Sequence, residues 1–307
     1  MTAFSPAVAG SRTAEPWVDN LRVVVISGVI VGHTATAYVV DFPWYYDDER
    51  ATSGVWTTLL SFPTVAGAIF WLGPLFLVAG WFSVRSLDRS GAAAFARSRL
   101  LRLGLPLAGY VAVVQPLTDY VGNLRGEQGS FVTYLRATEV GPMWFLAALL
   151  TFSLAYAGLR GVVPAPRRRT PASGPALAGA VLLIAGASLA VWQVWPWDAE
   201  MVLNLRVGEW PQGAVLFALG VRAGEAGWLA DLTGRRVRRL GWVAAGGTVA
   251  LSGLFAVQLA RDDVEALLEG AGWPALLFAL LDGVVAVAFT LWFVAWLRRR
   301  WSRHGTL

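Results

Sequence analysis

Long apolar runs, separated by short charged connections, constrain this chain more than any other feature of its sequence. An α-helix rises about 1.5 Å per residue, so roughly 20 apolar residues cross the hydrocarbon core of a bilayer. Only 15% of the 307 residues are charged and 56% are hydrophobic, whereas soluble domains carry about a quarter charged residues. We therefore predict an all-α polytopic transmembrane helix bundle with eight spans, at approximately residues 23–40, 62–84, 103–121, 141–162, 176–196, 210–224, 240–260 and 274–297.

The arginines predict the orientation of these spans. The sequence contains no Lys, and its 25 Arg are divided between two alternating sets of connections. The set that includes both termini holds 20 Arg, while the other set holds 5 and contains the acidic stretches DFPWYYDDER and RDDVEALLEG. Because the cytoplasmic connections of membrane proteins carry the excess of Lys and Arg, we expect both the N and C termini to be cytoplasmic.

The chain is predicted to hold one membrane domain. Residues 1–16 form a polar tail without the apolar region of a signal peptide, residues 17–300 form the membrane domain, and residues 301–307 form a second tail. The sequence has no Cys and two His, which argues against a metal site built from these residues. The net charge of +5 follows from membrane topology, so we expect no nucleic-acid partner.

Ionisable residues inside the first span are the strongest functional signal, since the bilayer penalises them. Arg22 and His33 are eleven residues apart, which is three helical turns plus roughly 20°, so both lie on one face of a helix. His33 is then about 16 Å deeper than Arg22. An imidazole gains and loses a proton near neutral pH and can act as a general base. It can equally be a hydrogen-bonded structural group between helices, and the residue alone leaves both hypotheses open.

A second basic signal lies in residues 85–102, RSLDRSGAAAFARSRLLR, which have the composition of an interfacial amphipathic helix. Arg99 and Arg102 are three residues apart, so they are predicted to share a face that could hold a phosphate. Anchoring to anionic lipid is the alternative, and the spacing alone favours it.

Two acids and an aromatic loop have roles that the sequence does not decide, and several enzyme motifs are absent. Asp119, near the outer end of the third span, and Asp282, in the eighth, could pair with a buried Arg or polarise His33. The aromatic residues of the outer loop at 43–48 could stack on a sugar ring, although an interfacial aromatic belt is favoured. The motifs GxGxxG, GxxxxGK[ST], GxSxG and HExxH are absent from the sequence, which excludes the enzyme classes that they mark.

Four segments, taken in order, resemble the membrane acyltransferase 3 family, the bacterial O-acyltransferases of polysaccharides and other exported glycans. WVDNLRVVVISGVIVGHTATAY resembles the first span of that family, in which ten residues separate an Arg from a His, here Arg22 and His33. FWLGPLFLVAGWFSVRSLDRSGAAAFARSRLLRLGLPL resembles its second span and the following Arg-x-x-Arg, here Arg99 and Arg102. GPMWFLAALLTFSLAY and WPQGAVLFALGVRAGEAGWL resemble two later spans, so the resemblance covers residues 17–300 approximately.

The resemblance implies an enzyme and its site. The implied reaction moves an acyl group, often acetyl, from cytoplasmic acyl-CoA to a hydroxyl of a glycan or other exported acceptor. His33 and Arg22 would form the catalytic centre, while Arg99 and Arg102 would bind acyl-CoA, the donor substrate, and no metal is implied. The expected partners are membrane lipid, acyl-CoA and a glycan or lipid-linked acceptor, and the expected location is the bacterial cytoplasmic membrane.

The C-terminal end departs from the pattern of the family, whose members usually have about ten spans with a Tyr-rich ninth that often carries another His. This chain reaches RRRWSRHGTL where the ninth span would begin, and His304 lies in the expected tail. We therefore expect a member two helices short, either truncated or with a differently closed bundle. An inactive scaffold is one alternative function. A transporter or flippase is another, although neither an inverted repeat nor a pair of broken helices supports it.

Overall fold

Helices make up the part of this chain that the structure describes. The computed structural model describes residues 15–36, 38, 60, 71–122, 130–162, 173–195, 202–267 and 272–301. Within these ranges the chain forms helices and turns and no β-strand. The α-helices are α1 (Pro16–Thr36), α2 (Gly73–Arg99), α3 (Leu105–Gly109), α4 (Gln115–Gly122), α5 (Phe131–Arg136), α6 (Trp144–Val162), α7 (Gly174–Trp192), α8 (Trp210–Ala226), α9 (Gly234–Ala260) and α10 (Trp273–Arg300).

Six helical segments of the described chain are long and apolar enough to cross a membrane. They are Pro16–Ala35, Gly73–Gly122, Phe131–Val162, Gly174–Trp192, Gly234–Ala260 and Trp273–Arg300. The prediction of an all-α polytopic bundle is thereby confirmed. The predicted sixth span corresponds to α8, whose 17 residues are close to the lower limit for crossing a bilayer. The count of eight spans and the cytoplasmic location of both termini stay predictions.

The chain reverses direction at Gly91, inside the segment that extends from α2 to α4. Gly91 has φ 74° and ψ 166°, a positive φ that suits a residue without a Cβ. Arg99 donates a hydrogen bond to Ser83 Oγ at 3.3 Å, although sixteen residues of straight helix would span about 24 Å. The segment 73–122 therefore contains two antiparallel helices, which overlap the second and third predicted spans.

This reversal corrects the prediction of an interfacial helix at residues 85–102. The residues before Gly91 complete one helix, and residues 92–122 form the next one, which we call the returning helix. Phe95 is buried near the tip of this hairpin, whereas Arg97 is exposed. The Ala-rich and Arg-rich composition therefore belongs to two helix ends that meet at a turn.

Two π-helical turns interrupt the returning helix, at Leu100–Gly104 and Tyr110–Val114. Each is followed by a proline, Pro106 or Pro116, whose ring clashes with the carbonyl group four residues earlier in a regular α-helix. Both of those carbonyl groups lie inside the π turns, so the wider turns accommodate the prolines without ending the helix.

A close backbone contact joins α2 to α8 through two glycines. A Cβ at Gly80 would meet the carbonyl oxygen of Phe217, and a Cβ at Gly220 would meet the carbonyl oxygen of Leu77. Small residues of this kind let membrane helices approach until their backbones are in van der Waals contact. Because α8 also contacts α6, α7 and α10, its short apolar stretch is surrounded by protein.

Tryptophans attach α1 to the bundle and define its depth. The ring centroids of Trp17 and Trp81 of α2 lie 5.6 Å apart. Eight residues further along α1, the Trp71 indole donates a hydrogen bond to the Val25 carbonyl oxygen at 2.8 Å. Trp71 also contacts Phe289 of α10, with ring centroids 6.0 Å apart. These pairs place the start of α1 level with Trp81 and its middle level with Trp71.

Replacing Gly220 by Ala should destabilise the bundle, because the added methyl group would collide with the Leu77 carbonyl oxygen and push α8 away from α2. We expect a loss of about 1–3 kcal/mol of unfolding free energy, which is typical of overpacking. Thermal unfolding of the purified protein in detergent would measure the change.

The matched control is Gly246→Ala in α9, since a Cβ there would meet no neighbouring group of the described chain within 4 Å. Alanine favours a helix over glycine, so this variant should be as stable as the wild type or slightly more so. Equal melting temperatures for Gly220→Ala and Gly246→Ala would contradict the close contact between α2 and α8.

Candidate active site

Arg22 and His33 lie on one stripe of α1, as the unbroken helix Pro16–Thr36 requires. This stripe borders the buried one formed by Trp17, Leu21 and Val25. Arg22 is exposed and donates to Asp19 at 3.1 Å, while His33 is half-buried. The rise of the helix separates Arg22 from His33 by about 16 Å, so the two side chains act at different depths.

A backbone hydrogen bond fixes the tautomer of His33. Its Nδ1 donates to the Val29 carbonyl oxygen at 2.8 Å, and a carbonyl oxygen can only accept. Nδ1 therefore carries a proton, and in the neutral imidazole the lone pair lies on Nε2. A lone pair on Nε2 can take a proton from a hydroxyl group, which is what general-base chemistry requires.

Arg99 and Arg102 lie near the start of the returning helix but face different surroundings. Arg99 is half-buried, bonded to Ser83, and its guanidinium lies 4.8 Å from the centroid of the Phe95 ring. Arg102 is exposed, and its positive charge opposes that of Arg99. A bound anion would relieve this repulsion, so the pair offers one held guanidinium and one that faces solvent.

His33 lies at the opposite end of the bundle from Arg99 and Arg102, and Arg22 lies between them in depth. Trp17 is level with Trp81, two residues from the Ser83 that holds Arg99. His33 is sixteen residues further along α1 than Trp17, which corresponds to about 24 Å of helix. The hydrocarbon core is about 30 Å thick, so most of its depth separates His33 from Arg99. Only a long molecule can reach both.

Two acids that the sequence left without partners are both bound by glutamine amides. Gln115 Nε2 donates to the two carboxylate oxygens of Asp119 at 3.2 Å. Gln212 Nε2 donates at 3.0 Å to Asp282, which is buried in α10. Asp119 therefore has a neutral partner on its own helix, α4, and Asp282 has a neutral partner on α8.

Asp282 shares the depth of His33. Val25 of α1 and Phe289 of α10 both contact Trp71. His33 lies eight residues beyond Val25, and Asp282 lies seven residues from Phe289 toward the same end of the bundle, so both are about 10–12 Å from the level of Trp71. The half of the bundle that we predict to face outward therefore contains an imidazole and a buried carboxyl group at one level.

A third polar group, not singled out from the sequence, lies beside Asp282. Glu209 ends the 3₁₀ turn before α8 and is half-buried. Burial raises the pKa of Glu209 to about 8, the charge of Asp282 adds to this rise, and the charge of Arg206 opposes it. In the sequence, the signal that could have identified this group is the pair of polar residues Glu209 and Gln212 at the start of an apolar span.

The remaining candidate features of the sequence add no group to the described site. Among the described residues, no group of three or more His, Cys, Asp or Glu side chains could hold a metal ion. The aromatic loop at 43–48 and His304 lie outside the described residues. The described site therefore has two parts. The arginines lie toward one end of the bundle, and His33 lies toward the other end, at about the same depth as Asp282 and Glu209.

A comparison with known families decides what kind of protein this is. A family model described as an acyltransferase domain, Acyl_transf_3, matches residues 15–306. The chain belongs to the acyltransferase 3 family. It is therefore an integral membrane acyltransferase, and the resemblance of its four sequence segments is confirmed. No curated protein and no solved structure matches the chain.

The raised pKa of Glu209 predicts how the stability of this acyltransferase depends on pH. The folded protein keeps a proton on Glu209 up to about pH 8, whereas the unfolded chain releases it near the ordinary value of 4.5. Between those values the folded state binds more protons, so the free energy of unfolding should fall as pH rises, and this contribution should level off above about pH 8.

Thermal unfolding of the wild type and of Glu209→Gln between about pH 5 and about pH 9 would measure this contribution. We expect the melting temperature of the variant to decline less with rising pH, since its side chain carries no titrating proton. Parallel curves for the two proteins would show that Glu209 titrates normally.

Proposed function

We propose that this acyltransferase moves an acyl group, acetyl in its simplest form, from cytoplasmic acyl-CoA to a hydroxyl of a glycan or other exported acceptor. One observation carries the proposal: His33, with its lone pair on Nε2, lies about 27 Å along the bundle from Ser83, which holds the guanidinium of Arg99. A base at one end and phosphate-binding groups at the other suit a donor and an acceptor on opposite sides of the bacterial cytoplasmic membrane.

The donor end is proposed at Arg99 and Arg102. CoA carries a pyrophosphate and a 3′-phosphate, and guanidinium groups bind phosphate oxygens through charge-assisted, often bidentate, hydrogen bonds. Arg99 is already oriented by Ser83 and Phe95, so little side-chain freedom is lost when it binds an anion. This preorganisation favours a specific ligand over the general attraction of lipid headgroups.

The chemical step is proposed at His33. The acceptor oxygen attacks the thioester carbonyl carbon while Nε2 takes the hydroxyl proton. The carbon–sulfur bond then breaks, and the CoA thiolate leaves and recovers that proton, so that the products are an ester and free CoA. Arg22, about 16 Å from His33 along α1, cannot exchange this proton and is proposed to bind the donor along its path between Arg99 and His33.

Replacing His33 by Gln should lower the rate of acetyl transfer by about 100- to 10,000-fold, the usual contribution of a general base. Membranes containing the protein would be incubated with labelled acetyl-CoA, and both CoA release and labelled lipid-linked or surface glycan would be measured. Thr34→Ala is the matched control, since Thr34 is the exposed neighbour of His33 on α1. Undiminished transfer by His33→Gln would exclude the proposed base.

Replacing Arg99 by Gln should raise the KM for acetyl-CoA by about 10- to 100-fold, as expected when a hydrogen bond to a charged group is lost. Arg97→Gln removes the same charge from an exposed position two residues earlier and should leave KM unchanged. If both variants raised KM equally, Arg99 would contribute only general positive charge.

The same assay separates the alternative functions. Uptake of label without release of CoA would indicate a transporter. Neither uptake nor release would indicate an inactive scaffold derived from the acyltransferases. Release of CoA together with a labelled glycan is the outcome that the proposed function requires.

A further inference from the structure

Two hydroxyl groups on α6 are buried in the bundle without a hydrogen-bond partner among the described groups. They belong to Ser153, which is 0% exposed, and Tyr156, which is 7% exposed. An unpaired hydroxyl in an apolar environment costs free energy, and a membrane interior supplies no water to satisfy it. Such groups call for an explanation beyond packing.

Other hydroxyls on the helices of this bundle are satisfied by the helix itself. Ser83, Thr151 and Thr248 each donate to the carbonyl oxygen four residues earlier, at 2.7–2.9 Å. The same bond is available to a serine in any regular helix, yet Ser153 does not make it. The helix backbone therefore leaves the Ser153 hydroxyl without a partner among the described groups.

The position of these hydroxyls relates them to Arg99. A Cβ at Gly104 would lie 3.4 Å from the Leu150 side chain, so the returning helix and α6 are level at these residues. Arg99 is five residues before Gly104 and Tyr156 is six residues after Leu150, which places Arg99 and Tyr156 at the same depth in these antiparallel helices. Ser153 lies about 4.5 Å deeper, in the direction of His33.

The charges near Tyr156 are already balanced within the protein. Arg160, one turn toward the predicted cytoplasm, forms an ion pair with Asp88 at 3.9 Å. Glu225 forms an ion pair with Arg222 at 3.8 Å. The charge of Arg160 acts on the Tyr156 phenol more strongly than that of either acid, and the charges of Glu225 and Asp88 oppose it, so the charges around the phenol offset one another. The location suits a neutral ligand that offers hydrogen-bonding groups.

We propose that Ser153 and Tyr156 bind the pantetheine arm of the acyl-CoA donor, an inference that rests on the proposed use of acyl-CoA. This arm is long, flexible and neutral, and its two amide groups need hydrogen-bond partners inside a dry bundle. It begins at the phosphates, which Arg99 is proposed to hold, and must carry the thioester most of the way across the membrane to His33. Tyr156 donates to one amide carbonyl at the level of Arg99, and Ser153 continues the path inward.

The test compares two probes, acetyl-CoA and adenosine 3′,5′-bisphosphate, which is the nucleotide part without the arm. Binding of each to the purified full chain in lipid nanodiscs would be measured by calorimetry for the wild type and for the double variant Ser153→Ala/Tyr156→Phe. We expect about 10- to 30-fold weaker binding of acetyl-CoA, from the loss of two neutral hydrogen bonds, and unchanged binding of the nucleotide.

Thr151→Val is the matched control, because Thr151 lies two residues before Ser153 on α6 and its hydroxyl already donates to the Ala147 carbonyl oxygen at 2.9 Å. This variant should bind both probes as the wild type does. Without ligand, the double variant Ser153→Ala/Tyr156→Phe should melt at the same temperature as the wild type or higher, because each substitution removes a hydroxyl group that has no partner among the described groups.

The outcomes separate this inference from the proposed function. Unchanged binding of acetyl-CoA to the double variant, with normal binding to the wild type, would overturn the role of the hydroxyls and leave the donor in place. Parallel loss of nucleotide binding, or a lower melting temperature without ligand, would overturn it too, since the hydroxyls would then be structural. If the wild type binds no acetyl-CoA, the proposed donor itself is wrong and this inference falls with it.

Discussion

The backbone contact between α2 and α8 determines where the site residues lie. Gly80 and Gly220 allow each helix to approach the carbonyl oxygens of the other, in a setting where close packing rather than the hydrophobic effect drives association. α2 also carries Ser83, which holds Arg99, and Trp81, which packs against the start of α1. A shift of α2 would therefore move the donor end and the helix of His33 together.

The thickness of the membrane keeps His33 and Arg99 at separate ends of the bundle. His33 and Ser83, the residue that holds Arg99, are about 27 Å apart along the bundle, so no side-chain motion within one helix brings His33 and Arg99 into contact. In the proposed reaction the thioester travels to His33, while the phosphates of the donor stay where the guanidinium groups can hold them. Asp282 and Glu209 lie at the end of the bundle that contains His33, where the proposed reaction requires the acceptor hydroxyl.

Helices were predictable from the sequence because crossing a bilayer requires a length of apolar chain whatever the tertiary packing. The hairpin at Gly91 was not, because the tips of two helices and an interfacial helix have the same composition of Ala and Arg. Arg99 and His33 could be named from their spacing and the family resemblance. The partner of Asp282 could not, because Gln212 is 70 residues away in sequence and only packing brings them together.

The buried polar groups of this bundle divide into two kinds with different consequences. Asp119 and Asp282 have amide partners within the protein, so their burial is compensated in every state of the molecule. Ser153 and Tyr156 lack partners among the described groups, so the proposed donor would recover the cost of burying them when it binds. A ligand that binds the folded state stabilises it by RT ln(1 + [L]/Kd). Under the proposed function, donor binding should therefore tighten the packing around α6 at the end of the bundle that holds Arg99, before the thioester reaches His33.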